Sequence, residues 1–209
     1  MEGRTLEQKL IDGMAAMRLE LPGEAQAKLL AYLELLAKWN RAYNLTAVRD
    51  PLEMVPRHLL DSLAALAFLH GETLADLGSG AGLPGIPLAI ARPDLAVTLI
   101  ESNGKKARFL REAARALPLP NVTIREARIQ DAAGPFDSVT ARAFASLADM
   151  LAWGGHLLAA DGRWLARKGR IDPAELAAVP DGFRVLAVHR LAVPGIDGER
   201  NLVELARSE

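Results

Sequence analysis

The sequence predicts an α/β protein: a mostly parallel sheet with helices on both faces, entered through a wholly helical N-terminal stretch. Three observations carry this expectation. Apolar residues recur at helical spacing through roughly the first 70 residues. From Thr73 onward, short apolar runs of strand character alternate with helical stretches, as strand–helix–strand units of a parallel sheet require. The last two runs, 185–188 and 202–205, have no clear helix between them, so an antiparallel edge is expected.

The elements follow in order. Residues 4–17 place Leu6, Leu10, Ile11 and Met14 on one stripe, and Leu21-Pro22-Gly23 breaks it. Residues 24–41 form the strongest helix, with Leu29, Leu33, Leu36 and Asn40 in line and Leu30 widening the stripe. Asp50 before Pro51 caps a further helical segment, 52–68. A strand then runs from Thr73 into the acid Asp76 and a glycine turn, and 86–91 leaves that turn as a buried helix. Ala96–Ile100 is the second strand. Residues 105–117 form a helix with Ala107, Leu110, Ala114 and Leu117 inward. Strands follow at Val122–Arg125 and 136–141, and Ser146-Leu147-Ala148-Asp149 opens a helix. Residues 156–160 and 164–166 frame Asp161-Gly162, and 173–178 is a short helix. The chain divides into a helical extension, 1–70, packed on a sheet domain, 71–209, as one compact unit.

Composition narrows the chemistry. The 209 residues suffice for one α/β domain with a small appendage. Without cysteine there is no disulfide, thiolate metal site or cysteine nucleophile. Four histidines are scattered without ligand spacing, so no metal is expected. No apolar run approaches the roughly 20 residues that cross a bilayer. The start, with Glu2, Arg4, Glu7 and Lys9, is unlike a signal peptide. A cytoplasmic protein off the membrane is the expectation. A net charge of −1 confines any nucleic-acid contact to local basic patches.

Glycines 78, 80, 82 and 85 follow Asp76, where a strand meets a helix. Gly80-x-Gly82-x-x-Gly85 fits a dinucleotide fingerprint, with Glu101 placed as its ribose acid. Gly78-x-Gly80-x-Gly82 after Asp76 instead resembles the first motif of the Rossmann-like class I S-adenosylmethionine-dependent methyltransferases. A turn without a ligand is disfavoured, because each glycine costs backbone entropy that packing alone rarely requires. Asp76 favours methyl transfer, and residues 102–209 continue the same sheet rather than supplying a dehydrogenase's substrate domain.

The acceptor is constrained too. Cytosine C5 methylation needs a cysteine. Methylation of exocyclic amines typically uses Asn/Asp-Pro-Pro-Tyr/Phe after the fourth strand, where this chain reads Val139-Thr140-Ala141-Arg142-Ala143-Phe144. A ring nitrogen with a free lone pair, such as guanine N7, needs alignment and water exclusion rather than a strong base. The sequence offers no obvious base.

Five segments in order resemble one family: Lys38-Trp39-Asn40-Arg41-Ala42-Tyr43-Asn44-Leu45-Thr46; Arg57-His58-Leu59-Leu60-Asp61-Ser62; the glycine loop from Asp76 to Leu88; Glu101-Ser102 with Lys105-Lys106 and Arg108-Phe109-Leu110; and Arg142-Ala143-Phe144-Ala145 with Gly198-Glu199-Arg200-Asn201-Leu202. The chain is similar to the bacterial 16S ribosomal RNA guanine-N7 methyltransferases, the RsmG or glucose-inhibited division protein B family. The resemblance implies transfer from S-adenosylmethionine, leaving S-adenosylhomocysteine, to guanine 527 in the 530 loop of 16S rRNA of the 30S subunit, by a monomer. It implies cofactor contacts from Gly78, Gly80, Gly82 and Leu83, ribose binding by Glu101, and Ile129 and Gln130 flanking the adenine. Arg142 falls at the methionine end, as a ligand of the cofactor carboxylate or a positioning catalytic residue. Asn44, Arg57, His58, Lys105, Lys168 and Arg200 are the RNA-binding candidates. Asn103 departs from the family's apolar preference. The rival readings are methylation of a protein or small molecule, and a non-catalytic ribosome-assembly factor.

Other residues carry two readings each. Lys105, Lys106, Arg108, Arg111 and Arg115, opposed only by Glu112, hold phosphates or form a solvated face. Arg163, Arg167, Lys168 and Arg170 have no acid among them. His58 and Asp61, one helical turn apart, bond each other or shape the target pocket. Trp39 and Tyr43 stack on a base or pack inward.

Overall fold

A computed structural model describes residues 5–142 and 145–208; Arg4, Ala143 and Phe144 of the segments above lie outside the described residues. Helices α1 (Leu6–Ala16) and α2 (Gly23–Tyr43) open the chain. Asp50 caps α3 (Pro51–Met54) by accepting from Leu52 N at 2.9 Å. The chain then takes a π-helical turn, Val55–Leu60, before α4 (Asp61–Leu63) and a 3-10 turn, Leu66–Phe68. The expected helix over 52–68 is thus one helical path with changes of pitch. Pro56 has no N–H to give to the carbonyl four residues back, so the regular ladder is interrupted there.

Seven strands follow: β1 (Thr73–Leu77), β2 (Ala96–Ile100), β3 (Val122–Arg125), β4 (Phe136–Arg142), β5 (Leu158–Lys168), β6 (Phe183–Arg190) and β7 (Asn201–Arg207). Their order is β3-β2-β1-β4-β5-β7-β6. Strands β1 to β5 pair in parallel, and β7 runs antiparallel to both β5 and β6. The antiparallel pair closes that side of the sheet, with the reversed strand second from the end. Helices α5 (Gly85–Ala91), α6 (Gly104–Ala116), α7 (Leu147–Gly154) and α8 (Pro173–Ala177) complete the fold. On one face, Leu74 and Leu99 join Ile86, Leu110 and the extension residues Leu10, Tyr32, Leu36 and Leu60 in one core. On the other, Leu77, Val139 and Trp164 pack with Leu147 and Met150.

Two details differ from expectation. In α6 the buried stripe is Ala107, Leu110 and Ala113, with Phe109, while Ala114 is half-buried. Asp161-Gly162 makes no turn between two strands, because β5 is continuous through it. Phe136 pairs with Leu158 but Ser138 pairs with Arg163, so the intervening residues bulge out of register. A Cβ at Gly162 would lie 2.9 Å from the Asp137 carbonyl oxygen, so only glycine lets the bulge lie this close to β4.

The sheet order reverses at β1, which lies between β2 and β4. The carboxyl ends of these strands therefore splay apart and open a crevice, the position where open α/β sheets bind ligands.

Candidate functional site

The glycine loop leaves β1 at this crevice. Asp76, fully enclosed, accepts from Gly85 N at 2.9 Å, and Ser79 Oγ donates to the Asp76 carbonyl at 2.8 Å. These bonds pin both ends of the loop. Burial pushes the Asp76 carboxyl up to about 7, although Gly85 N–H and the Arg142 charge pull it down. The extension reaches the loop directly: buried Tyr32 of α2 donates its hydroxyl to the Ala81 carbonyl at 2.6 Å.

Glu101 closes β2 beside the loop. Its carboxylate accepts from Gly80 N and from Asn103 N, each at 2.8 Å. Asn103 in turn caps α6 by accepting from Lys105 N and Lys106 N. The departure at Asn103 is therefore a helix cap, a polar role that an apolar residue does not fill.

Two cavities open on the crevice, and both are lined by Gly78, Lys106 and Arg142. The smaller, about 400 Å³, is also lined by Glu101, Ser102, Arg128, Ile129, Gln130 and Trp153. The larger, about 640 Å³, includes Thr46, Arg57, His58, Asp61, Gly80, Leu83, Arg167, Lys168 and Arg200. Most sequence-predicted residues thus converge. Gly82 lines neither cavity; it sits inside the loop against Ile86 and Leu110.

Asp61 is the centre of the larger cavity's wall. Its Oδ1 lies 2.7 Å from Arg167 Nη2 and 3.7 Å from Arg200 Nε, and its Oδ2 lies 4.0 Å from Arg142 Nη1. Arg142 and Arg167 are register partners at the ends of β4 and β5, which brings their side chains to one wall. Burial lowers the Arg167 pKa, and Asp61 counters that shift. His58 does not bond Asp61. Its Nε2 meets Thr46 Oγ1 at 2.9 Å, and burial pushes the imidazole down to about 4, so it is neutral at physiological pH.

The RNA candidates divide. Arg57, His58, Lys168 and Arg200 line the larger cavity. Lys168 is held there by the Ala145 carbonyl at 2.7 Å and Glu175 at 2.5 Å. Lys105 lies instead in a separate groove with Trp39, Tyr43 and Arg108, while its neighbour Lys106 takes the cleft position. Asn44 lines neither cavity. It ends α2 in the left-handed conformation, φ 49°, and accepts from Arg49 Nη2 at 2.8 Å. The 163–170 group, without an acid in sequence, finds acids in space: Arg163 approaches Glu204 at 3.5 Å, Arg167 meets Asp61 and Lys168 meets Glu175. Arg111 pairs with Glu126 and Arg115 with Glu112. Trp39 packs on Tyr43 and Phe109, with ring centroids 4.9 and 5.8 Å apart.

Thr46, Arg128 and Trp153 are among the lining residues that the sequence candidates omit, while Lys106 and Arg167 enter the sequence analysis only as members of basic groups. Arg167 follows the apolar run Trp164-Leu165-Ala166, so the strand-end reasoning that singles out Arg142 also reaches it. Among the described residues no group of three or more metal-ligating side chains occurs, and no helix is long and apolar enough to cross a membrane.

A glycine loop after β1, an acid closing β2 and a reversed β7 define the Rossmann-like fold of class I methyltransferases. Solved structures share it. Mitomycin 7-O-methyltransferase MmcR superposes with a TM-score of 0.61 at 18% identity, covering 85% of this chain and 60% of that one. A mutant of MtNAS in complex with S-adenosylmethionine gives 0.57 at 21% identity, covering 85% and 73%. Residues 25–203 match GidB, the rRNA small subunit methyltransferase G family, and the chain belongs to that family. Its relatives include ribosomal RNA small subunit methyltransferase G of Xanthomonas campestris pv. campestris (strain 8004), 57% identical over 196 residues, 93% of this chain and 92% of that one. The protein of the same name from Marinobacter nauticus is 50% identical over 203 residues, covering 96% and 95%.

Proposed function

We propose that this protein transfers a methyl group from S-adenosylmethionine to N7 of guanine 527 in the 530 loop of 16S rRNA. The larger cavity carries the reading: it opens onto the glycine loop, and among the described residues its lining holds Arg57, Lys106, Arg142, Arg167, Lys168 and Arg200 with Asp61 as the one acid. Such a wall suits a polyanion, as the relatives' names suggest.

The smaller cavity fits the cofactor. Glu101 offers acceptor oxygens to ribose hydroxyls, Ile129 and Trp153 offer apolar surface to a purine, and Arg142 offers a charge partner to a carboxylate. Bound there, S-adenosylmethionine would supply an electrophilic methyl carbon to the purine. The protein's own part is to hold the guanine N7 lone pair in line and keep water out. A strong base is not needed, in keeping with His58, which burial makes a weak base by pushing its pKa down to about 4. The same reading has the protein acting in the cytoplasm, as a monomer.

The test uses radiolabelled S-adenosylmethionine with 16S rRNA and with 30S subunits from cells lacking this activity. Borohydride–aniline cleavage, which cuts at N7-methylguanine, is expected to give one cut in the 530 loop. No label in either substrate, with S-adenosylhomocysteine binding intact, overturns the reading in favour of another acceptor or a non-catalytic assembly factor.

A further inference from the structure

We infer that Asp61 and Arg167 together read the Watson–Crick edge of the target guanine, an inference that rests on the proposed N7 transfer. Both side chains line the larger cavity and both are nearly sealed from solvent, Arg167 being 4% exposed. Among the described residues, Arg167 Nε and Nη1 have no hydrogen-bond partner, and Asp61 Oδ1 has no directed hydrogen bond although Arg167 Nη2 lies 2.7 Å away. Buried groups in this state are costly, and native proteins rarely keep them without a reason. Here two donors and an acceptor share one wall beside the glycine loop. A ligand that satisfies them brings an acceptor adjacent to donors.

Guanine has that pattern. With N7 turned to the methyl group, O6 accepts, while N1–H and the N2 amine donate. A guanidinium only donates, and a carboxylate among guanidinium groups only accepts. Arg167 therefore suits O6, and Asp61 suits N1–H and N2–H. Adenine reverses the pattern, setting its N6 amine against Arg167 and its bare N1 against Asp61, so the pair rejects it as well as selecting guanine. A phosphate fits less well, because it would satisfy Arg167 while bringing a further oxygen against Asp61 Oδ1. Arg142, which lines both cavities and is the register partner of Arg167, puts the junction with the cofactor cavity next to this pair.

The test uses 30S subunits reconstituted with guanosine, inosine or adenosine at the target position. Inosine keeps O6 and N1–H but lacks the N2 amine. The wild-type protein should transfer methyl to inosine roughly tenfold more slowly than to guanosine, and not measurably to adenosine. Asp61→Asn swaps an acceptor oxygen for a donor, so it should slow guanosine at least about tenfold and bring the guanosine-to-inosine ratio near one. Arg167→Lys should slow guanosine and inosine alike, because both carry O6. Competition among the same subunits for the protein without methyl donor should follow the same order, and S-adenosylhomocysteine binding reports that each variant is folded. Equal wild-type rates on guanosine and inosine, or an Asp61→Asn protein that keeps the wild-type ratio, overturns the pairing while leaving N7 transfer intact. No transfer by the wild type to guanosine subunits overturns N7 transfer itself, and the pairing with it.

Discussion

Asp76 shows how much one buried carboxyl does for the loop. It pins Gly85 N–H from a site without solvent, at the cost of a pKa pushed from 3.8 to about 7. Between those values the folded protein keeps a proton that the unfolded chain has released. The folded state therefore loses stability as pH rises through that window. Asp76→Asn keeps an acceptor oxygen for Gly85 and removes the titration. Its stability relative to wild type should accordingly rise between pH 5 and pH 8, measured by urea denaturation; a constant difference would show that Asp76 is already ionised in the fold. His58 works in the opposite sense: its pKa is pushed down to about 4, so its contribution is present above the unfolded value of 6.5 and lost as pH falls through 4. Comparing the variant with wild type cancels that contribution. At this scale, strand-end logic makes Glu101 and Arg142 legible. The partners of Asp61 are not, because Arg142, Arg167 and Arg200 lie far along the chain and meet it only across the crevice.

Among elements, the glycine loop contains a backbone position that only glycine fills without strain. Gly82 has φ +86°, and a Cβ there would stand 2.5 Å from Ile86 Cδ1 and 3.0 Å from Leu110 Cδ2. Gly82→Ala combines backbone strain with overpacking and should cost about 1–3 kcal/mol in denaturant unfolding. It should also weaken S-adenosylhomocysteine binding in calorimetry, although Gly82 lines neither cavity. Unchanged affinity would mean that the loop accommodates the methyl without moving Gly78 and Gly80. Helix and strand positions were legible here because periodicity is local. The π-helical turn at Val55–Leu60 was not: a proline within a helical pattern signals an interruption but does not say which pitch replaces it. That pitch decides that His58 faces Thr46 and that Asp61 faces the arginines.

Across the whole molecule, the extension and the sheet share one core. Leu10, Tyr32, Leu36 and Leu60 are buried in the same cluster as Leu74, Leu99 and Leu110. The helical extension and the first face of the sheet thus meet through one shared apolar cluster. Chain unfolding should be a single transition, with Trp39 fluorescence in a variant keeping only that tryptophan coinciding with the far-ultraviolet circular dichroism of the sheet and helices. An earlier transition at Trp39 would mark the extension as a separately melting unit. Coupling of this kind places Tyr32, an extension residue, on the glycine loop.

The α/β class, nearly every helix and strand, the glycine loop and the acids and arginine at the strand ends are all legible in the order of residues along the chain. These depend on residue spacing and on backbone demands that a few neighbouring residues reveal. Which charges meet depends instead on how the folded elements come together. Their assembly tied Lys168 to Glu175, moved the cleft position from Lys105 to Lys106, left Asn44 as a helix cap and gathered three arginines on Asp61. Those outcomes follow from strand order, register and the pitch of one helical turn, which act between residues remote in the chain and leave no periodic mark on it.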